Sequence, residues 1–280
     1  EAHEGEEDRG GDRTVNDAIV GAIDEITRLD ARGDVLVFLP GEREIRDAHQ
    51  ALERRKYRNT EVLPLYARLS NQDQDRVFNP GPNRRIVLAT NVAESSVTLP
   101  GVRVVIDSGL AREPSYDPNS GFSRLEVANI SQASADQRAG RAGRVASGWT
   151  YRLWPASQRL EPQRRPELAQ VELASLALEL AAWGSDALRF VDPPPPGTLA
   201  AGRDLLQRLD ALDATRAITP RGRRMLALGT HPRLAAMLLA SADQKRVALA
   251  CDLAALVEAR DPLRTRSDAL GERWQALAAF

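Results

Sequence analysis

The sequence contains a single cysteine, Cys251, among its 280 residues. One cysteine excludes an intrachain disulfide and a zinc cluster built from cysteines, and such low usage fits a reducing compartment. We interpret Cys251 as a buried residue with a structural role. The sequence also has no run of about eighteen apolar residues, and its start lacks the pattern of a secretion signal. The composition therefore predicts a cytoplasmic protein.

Lysine is almost absent: Lys56 and Lys245 are the two lysines among 38 basic residues. Neither lies in the phosphate-binding loop G-x-x-x-x-G-K-[ST], since Arg55 and Gln244 precede them. Without this Walker loop, which cradles the phosphates of a nucleotide, the chain alone is not expected to hydrolyse ATP.

The net charge of −1 hides an uneven distribution. The first 13 residues hold six acids and two arginines, a net charge of −4, so the remainder of the chain carries +3. Between Arg112 and Arg165, nine arginines face five acids. Positive charge is thus concentrated where it could meet phosphates, although a charged run is more often a solvated surface.

The first half of the chain alternates between helical spacing of apolar residues and short apolar runs. The helical spacing predicts helices over Val15–Leu29, Glu42–Arg55 and Asn71–Phe78. The runs predict strands near Asp34–Leu39, Glu61–Leu65, Arg85–Ala89, Val102–Ile106 and Thr150–Trp154. Strands that are apolar on both faces and separated by helices predict a parallel sheet covered on two sides. We therefore expect a RecA-like α/β domain over residues 14–156, preceded by a disordered acidic segment, residues 1–13.

From Arg159 onward the composition favours helices. The pattern predicts helices over Glu167–Trp183, Thr198–Leu212 and Pro220–Gly229, then from Pro232 and from about Asp243, with a rigid connector at Pro193–Pro196. A short strand near Ala217–Thr219 would suit a winged-helix domain over residues 157–228.

The most specific motif is Q-R-A-G-R-A-G-R at residues 137–144. Ser134, three residues before this string, makes a capping-box pattern that predicts the start of a helix. At helical pitch Arg138 is rotated away from a face that three side chains share: Gln137, Arg141 and Arg144. Two guanidiniums beside an amide suit the charge that develops on a γ-phosphate during transfer. The alternative interpretation is a surface helix with solvated arginines.

A second motif, L-A-T-N-V-A-E-S-S at residues 88–96, places hydroxyl and amide side chains where a buried strand ends. Ligands bind off the carboxyl ends of strands in open α/β sheets, so Thr90 and Asn91 could contact phosphates. Simple helix capping after a strand is the alternative. The string F-L-P-G-E at residues 38–42 is likewise a strand end followed by a turn.

In this order, the strings at residues 38–42, 88–96 and 137–144 resemble helicase motifs IV, V and VI of superfamily 2. They are most similar to DEAH-box helicases of the bacterial HrpA/HrpB type, and the resemblance covers nearly the whole chain after the acidic opening. Residues 33–94 resemble HrpA more closely, and the chain from Val102 onward resembles HrpB. The resemblance implies the second RecA-like domain of an ATP-dependent RNA or DNA helicase, with the fold of the P-loop NTPase superfamily. A winged-helix domain and the start of a ratchet-like helical domain, residues 229–280, would follow.

The resemblance also implies roles for individual residues. Gln137, Arg141 and Arg144 would be catalytic residues that face the γ-phosphate of ATP, with the two arginines acting as arginine fingers. Phe78 would stack on the nucleotide base. The strand of nucleic acid would be held by Thr90, Asn91, Gly41 and Arg124. Residues 112–130, with the turn-formers Asp117, Pro118, Asn119 and Gly121, match the family's strand-separating hairpin.

Two features of the family are absent, the Walker loop and the string D-E-A-H. Together with the missing initiator methionine, the acidic start and the abrupt end, this predicts a fragment of a longer protein. Its partners would be single-stranded RNA or DNA and an N-terminal RecA-like domain of the same protein, which would hold most of the Mg²⁺ coordination. The alternative is a non-catalytic nucleic-acid-binding or regulatory module on the same fold.

Overall fold

The computed structural model describes residues 14–29, 31–79, 81–95, 98–117, 122–144, 146–185, 188–241, 243–259 and 269–279, with Leu263 and Ser267. The predicted disordered segment, residues 1–13, lies outside this description. The chain divides into two compact units. The sheet unit comprises Glu1–Ser115 and Arg124–Arg165, and the helical unit comprises Tyr116–Ser123 and Pro166–Phe280.

The sheet unit is a RecA-like α/β domain, as the sequence predicts. Its helices are α1 (Val15–Arg28), α2 (Glu42–Arg55), α3 (Asn71–Phe78), α4 (Val92–Ser95) and α5 (Gln132–Gly140). Its strands are β1 (Asp34–Phe38), β2 (Thr60–Leu65), β3 (Arg84–Ala89), β4 (Val102–Asp107), β5 (Leu110–Asp117), β6 (Phe122–Asn129) and β7 (Trp149–Arg152). Five of these strands form one sheet in the order β2-β3-β1-β4-β7, in which each pairing is parallel.

Side-chain alternation along β1 explains why both faces of this sheet are covered. Val35 and Val37 join a buried cluster with residues of α1 and α2, whereas Leu36 and Phe38 join a second cluster with Val77 of α3. Successive side chains of a strand point to opposite faces, so an unbroken apolar run needs helices on both sides. The apolar run in the sequence thus placed β1 at the centre of the sheet.

An ion pair fastens the opening ends of two neighbouring strands. Arg85 of β3 is 2% exposed, and its guanidinium donates to the carboxylate of Asp34 in β1 at 2.6 and 2.8 Å. The same guanidinium donates to the carbonyl of Val77 at 2.6 Å. Because the charge is paired and its donors are used, burial of this arginine is compatible with a stable core.

Strands β5 and β6 form a separate two-stranded sheet. This agrees with the hairpin expected over residues 112–130. Of its turn-formers, Pro118, Asn119 and Gly121 lie outside the described residues, and Asp117 is the last residue of β5.

The helical unit consists of α6 (Ala174–Trp183), α7 (Pro196–Arg208), α8 (Pro220–Ala227), α9 (Pro232–Ala240), α10 (Gln244–Glu258) and α11 (Leu270–Ala278). A core of small and aliphatic side chains joins α6 to α9, and includes Leu178, Leu206 and Met225. Gly184 ends α6 with φ +81°, as the sequence predicts. No helix in the described part of either unit is long and apolar enough to cross a membrane.

Three predictions for this unit were wrong in detail. The expected helix over Glu167–Trp183 is broken into a 3₁₀ turn, Glu167–Ala169, and α6; between them the side chain of Glu172 accepts from the amide of Ala174, the first residue of α6. The expected strand near Ala217–Thr219 is a single antiparallel bridge between Leu212 and Ile218. Cys251 is exposed rather than buried, since α10 buries the neighbouring Ala250.

Candidate nucleotide and nucleic-acid site

The site is organised by the carboxyl ends of three adjacent parallel strands, β3, β1 and β4. Phe38 of β1 lies in register with Ala89 of β3 and Asp107 of β4. The next residues continue the pairing, since the amide of Leu39 donates to the carbonyl of Ala89 at 2.8 Å. The segments that contain motifs IV and V therefore leave the sheet side by side.

The motif V segment turns directly from β3 into the short helix α4. The amide of Thr90 donates to the carbonyl of Leu65 at 3.2 Å, and the amide of Glu94 donates to the carbonyl of Asn91 at 2.9 Å. Thr90 is half-buried and Asn91 is exposed. The backbone of this segment is thus fixed by its hydrogen bonds. The side chain of Asn91 is exposed, and the side chain of Thr90 is partly accessible. Ser96, at the end of the motif, lies outside the described residues.

Gly41 of motif IV is buried directly before α2, where its backbone is extended. An added Cβ would lie 2.6 Å from Nε of Arg112 and 2.8 Å from a carboxylate oxygen of Glu44. These two side chains form an ion pair at 3.7 Å. A larger residue would therefore push these two side chains aside, because the root of the β5–β6 hairpin lies against this backbone.

Helix α5 starts three residues earlier than the sequence predicts. Its N-cap is Ser131, whose hydroxyl accepts from the amide of Ser134 at 3.2 Å. Ser134 does not cap the helix but donates its hydroxyl to the carboxylate of Glu94 in α4 at 2.8 Å. The capping-box prediction was wrong because two serines three residues apart both fit an N-cap, and only the tertiary partner of Ser134 distinguishes them.

Arg138 is the centre of the site rather than a side chain turned away from it. It is 1% exposed, and its guanidinium donates to Glu94 at 2.9 Å and to Asp107 at 2.8 Å. The guanidinium also lies 4.7 Å from the ring centre of Phe38. Motif VI is thereby tied to motif V, to the end of β4 and to the end of β1. We call the three charged side chains, Glu94, Asp107 and Arg138, the buried triad.

Asp107, which is 1% exposed, is the most deeply buried acid of the triad. Burial raises the pKa of Asp107, although the positive charge of Arg138 and a hydrogen bond from the amide of Gly109 oppose that shift. The second carboxylate oxygen of Asp107 is buried without a hydrogen-bond partner. The triad therefore depends on Arg138, which is the one cation that pairs with both carboxylates within the described part of the chain.

The three residues predicted to share one helical face do not do so along a helix. Helix α5 ends at Gly140, so Arg141 is its C-cap and Arg144 lies beyond a turn. Gln137 is exposed on the helix, and Arg141 is 7% exposed and donates to the carbonyl of Glu94. Arg144 is exposed and donates to the hydroxyl of Thr98 at 2.7 Å.

The two arginines are nevertheless neighbours. Both line a small crevice with Leu36, Ala93 and Val102. Burial lowers the pKa of Arg141, the positive charge of Arg144 lowers it further, and the carboxylate of Glu94 opposes both effects. A guanidinium with these neighbours gains from a nearby anion, because the anion offsets both the desolvation and the repulsion.

The other predicted residues lie on separate parts of the sheet unit. Phe78 ends α3 and is half-buried against the second apolar cluster, which leaves part of its ring accessible. Arg124 of β6 is exposed and donates to Glu126 at 2.7 Å. The described residues contain no group of three His, Cys, Asp or Glu side chains suited to a metal ion.

Sequence reasoning missed Glu94, Asp107 and Ser134 as parts of the site. Glu94 lies inside the motif V string, and Asp107 ends an apolar strand, which is the position where polar ligands collect in α/β sheets. These two positions in the sequence could have identified Glu94 and Asp107 as candidate site residues.

Comparisons with known proteins give the same assignment. Residues 18–146 match the family described as helicase conserved C-terminal domain. The chain is 42% identical over 255 residues to the ATP-dependent RNA helicase HrpA of Escherichia coli K12, covering 88% of this chain and 20% of that protein. It is 40% identical over 263 residues to the ATP-dependent RNA helicase HrpB of the same organism, covering 91% of this chain and 32% of that protein.

Solved structures agree with the sequence matches. A crystal structure of the E. coli DEAH/RHA helicase HrpB has a TM-score of 0.84 at 37% identity, and covers 95% of this chain and 34% of that protein. A second, of the E. coli DExH-box NTPase HrpB, has a TM-score of 0.80 at 36% identity, and covers 96% of this chain and 35% of that protein. This chain therefore spans about a third or less of the relatives that it matches, and it belongs to the DEAH-box helicases of the HrpA/HrpB type, of which it carries the conserved C-terminal helicase domain.

Proposed function

We propose that this chain supplies the second RecA-like half of a cytoplasmic, ATP-dependent RNA helicase, with DNA as the alternative substrate. An N-terminal RecA-like domain with a Walker loop would bind ATP and provide most of the ligands of Mg²⁺. This chain would then contribute arginine fingers and a grip on the nucleic-acid strand. The two relatives are both named ATP-dependent RNA helicases, which supports this assignment.

The observation that carries the proposal is that Glu94 of motif V is bonded to helix α5 and to two arginines of motif VI. Its carboxylate accepts from Ser134 and Arg138 of α5, and its carbonyl accepts from Arg141. Glu94 follows Thr90 by one helical turn. A movement of the fingers on ATP binding or hydrolysis would therefore move the strand-gripping segment with it, because buried, paired charges form a rigid connection.

The residues fit the chemistry of phosphoryl transfer. Arg141 and Arg144 place two guanidiniums next to each other, and Gln137 offers an amide on the preceding helix. In such reactions catalysis depends on positioning and on neutralising charge on the γ-phosphate. Phe78, with its partly accessible ring, would stack on the base.

The nucleic-acid strand would pass over the carboxyl ends of β3 and β1. Thr90 and Asn91 would donate to backbone phosphates, the backbone at Gly41 would approach the strand closely, and Arg124 would add positive charge from the hairpin. These contacts are made to the sugar-phosphate backbone, so the motor would move along a nucleic-acid strand of any base sequence.

The test is RNA-stimulated ATP hydrolysis in a protein that joins this chain to its Walker-containing domain. We expect Arg144→Ala and Arg141→Ala to lower kcat by roughly 10³-fold while RNA binding is retained. Arg54→Ala is the matched control, because Arg54 is exposed near the far end of α2. If all three variants hydrolyse ATP like the parent, the arginines are not fingers and the alternative, a non-catalytic nucleic-acid-binding or regulatory module, is the better assignment.

A further inference from the structure

The helical unit contains a groove of about 440 Å³ that the proposed motor function does not use. The end of α6, the middle of α7, the turn after α7 and the start of α8 form its walls. Three arginines, two hydroxyl side chains and apolar side chains line it, among them Arg203, Arg216, Arg223, Thr215, Ser185 and Leu212. We call it the arginine groove.

The turn that presents Arg216 is preorganised. The carboxylate of Asp213 accepts from the hydroxyl of Thr215 at 2.6 Å, and from the amides of Thr215 and Ala217 at 2.8 and 3.0 Å. These hydrogen bonds lower the pKa of Asp213, the hydroxyl of Thr215 most of all. The turn holds Arg216 at φ +67°, a conformation that costs a non-glycine residue about 1 kcal/mol.

The charge of the groove is one-sided. No acidic side chain is among its lining residues, and the nearby Asp213 already accepts three hydrogen bonds from its own turn. Arg216 and Arg223 are exposed and form no ion pair within the described parts of the chain. Two exposed arginines that line one groove and have no ion pair among the described residues favour an anionic ligand, because the anion would neutralise their charge.

Two apolar features indicate what kind of anion fits. The floor of the groove is aliphatic, formed by residues such as Leu180, Leu212 and Ile218. Trp183, three residues after Leu180 on α6, is 73% exposed. Gly184, the residue after Trp183, lines the groove, so this tryptophan lies next to the groove along the chain. An exposed aromatic ring is a common platform for unpaired bases, since each base can stack on it whatever its sequence.

We propose that the arginine groove binds the backbone of single-stranded nucleic acid, with Arg216 and Arg223 on phosphates and Trp183 available for base stacking. A poly-acidic peptide would use the arginines but has no ring that could stack on Trp183. The inference rests on the proposed function in one respect: nucleic acid is the partner of the chain. It adds a second contact site in the helical unit, separate from motifs IV, V and VI.

The test is the anisotropy of a fluorescein-labelled 20-nucleotide oligo-uridine titrated with the full 280-residue chain at several salt concentrations. The variant is Arg216→Gln with Arg223→Gln. The control is Arg208→Gln with Arg224→Gln, which changes the net charge equally at two exposed positions that do not line the groove. Circular dichroism melts of both variants check that the fold is retained.

We expect the groove variant to bind about 25-fold more weakly near 0.1 M salt, with a salt slope smaller by about 1.4, because each phosphate contact to a single strand contributes a slope of about 0.7. The control should change much less. Trp183→Phe should remove most of the tryptophan fluorescence quenching that the oligonucleotide causes.

Equal weakening in the two double variants would overturn the inference, since only net charge would then matter. Competition by ATP or inorganic phosphate as effective as by the oligonucleotide would show a site for isolated phosphates and would also overturn it. Binding of a poly-glutamate peptide in place of RNA, lost in the groove variant alone, would assign the groove to an acidic protein partner. Since this assay needs no ATP hydrolysis, its outcome is independent of the arginine-finger test.

Discussion

Replacement of Arg138 by methionine should destabilise the sheet unit severely. The substitution keeps most of the side-chain volume but removes two charge-assisted hydrogen bonds, at 2.9 Å to Glu94 and 2.8 Å to Asp107, and the stacking on Phe38. It leaves the carboxylate of Asp107, which is 1% exposed, without its cation, and it removes the ion pair between Arg138 and Glu94 as well. Breaking a buried ion pair from one side costs about 3 to 5 kcal/mol, so we expect a loss of about 4 kcal/mol.

The assay is urea denaturation followed by tryptophan fluorescence, with Trp183 and Trp274 of the helical unit changed to phenylalanine. The remaining signal then comes from Trp149 and Trp154 of the sheet unit. With a slope of about 2 kcal/mol per M urea, a loss of about 4 kcal/mol lowers the midpoint by about 2 M.

Two comparisons make this prediction specific. Arg54→Met, on the exposed face of α2, should change stability by less than about 0.5 kcal/mol. Adding Glu94→Gln and Asp107→Asn to Arg138→Met should recover much of the loss, because the unpaired charges are removed as well. A loss of less than about 1 kcal/mol for Arg138→Met alone, or no recovery in the triple variant, would refute the reasoning.

Two further predictions concern other parts of the chain. Tyr57→Phe should flatten the decline in stability at high pH. Burial, and then the hydrogen bond to Asp24, raise the pKa of Tyr57, so its contribution to stability is present below pH 10 and is lost as the pH rises further. The loss amounts to at most about 1.4 kcal/mol per pH unit, which urea melts at pH 9 to 11 can measure. Parallel alkaline profiles of the two proteins would count against it. Gly222→Ala should destabilise the helical unit by about 1 to 3 kcal/mol in a thermal melt, since the added Cβ would lie 2.2 Å from the carbonyl oxygen of Ala211. The control Gly197→Ala should have no such effect, because its added Cβ meets nothing within 4 Å.

Local sequence patterns were sufficient for most of the sheet unit. Helices α2 and α3 occupy the predicted residues, Glu42–Arg55 and Asn71–Phe78, because each has a clear start and one apolar face. Strands β1 to β4 lie within one residue of the predicted bounds, because each is a short run rich in valine, isoleucine or leucine. The parallel sheet and the DEAH-box assignment follow from these elements and the motif strings.

Predictions from sequence are less accurate where contacts with residues distant in the chain determine helix bounds and burial. In the helical unit, a continuous helical pattern is interrupted before Ala174, whose amide is bonded to the side chain of Glu172. In α10, alanine and leucine lie on several faces, so the pattern does not show which face is covered, and Cys251 is exposed. Periodicity reports that a side chain is apolar, but burial depends on which neighbour covers it.

For this protein, sequence alone determined the order of strands and helices in the sheet unit and the three motif strings, because these depend on local pattern. The roles of Gln137, Arg141 and Arg144 toward phosphate stay predictions. The tertiary structure decided which serine caps α5, where that helix ends and where Arg138 points. The contacts of Ser134 and Arg138 depend on Glu94 and Asp107, which lie 31 to 44 residues from Arg138 along the chain and meet it only after the parallel strands align their carboxyl ends. A helical projection places Arg138 away from the motif face, but a buried arginine is stable only where its charge is paired, and that pairing is a property of the folded sheet.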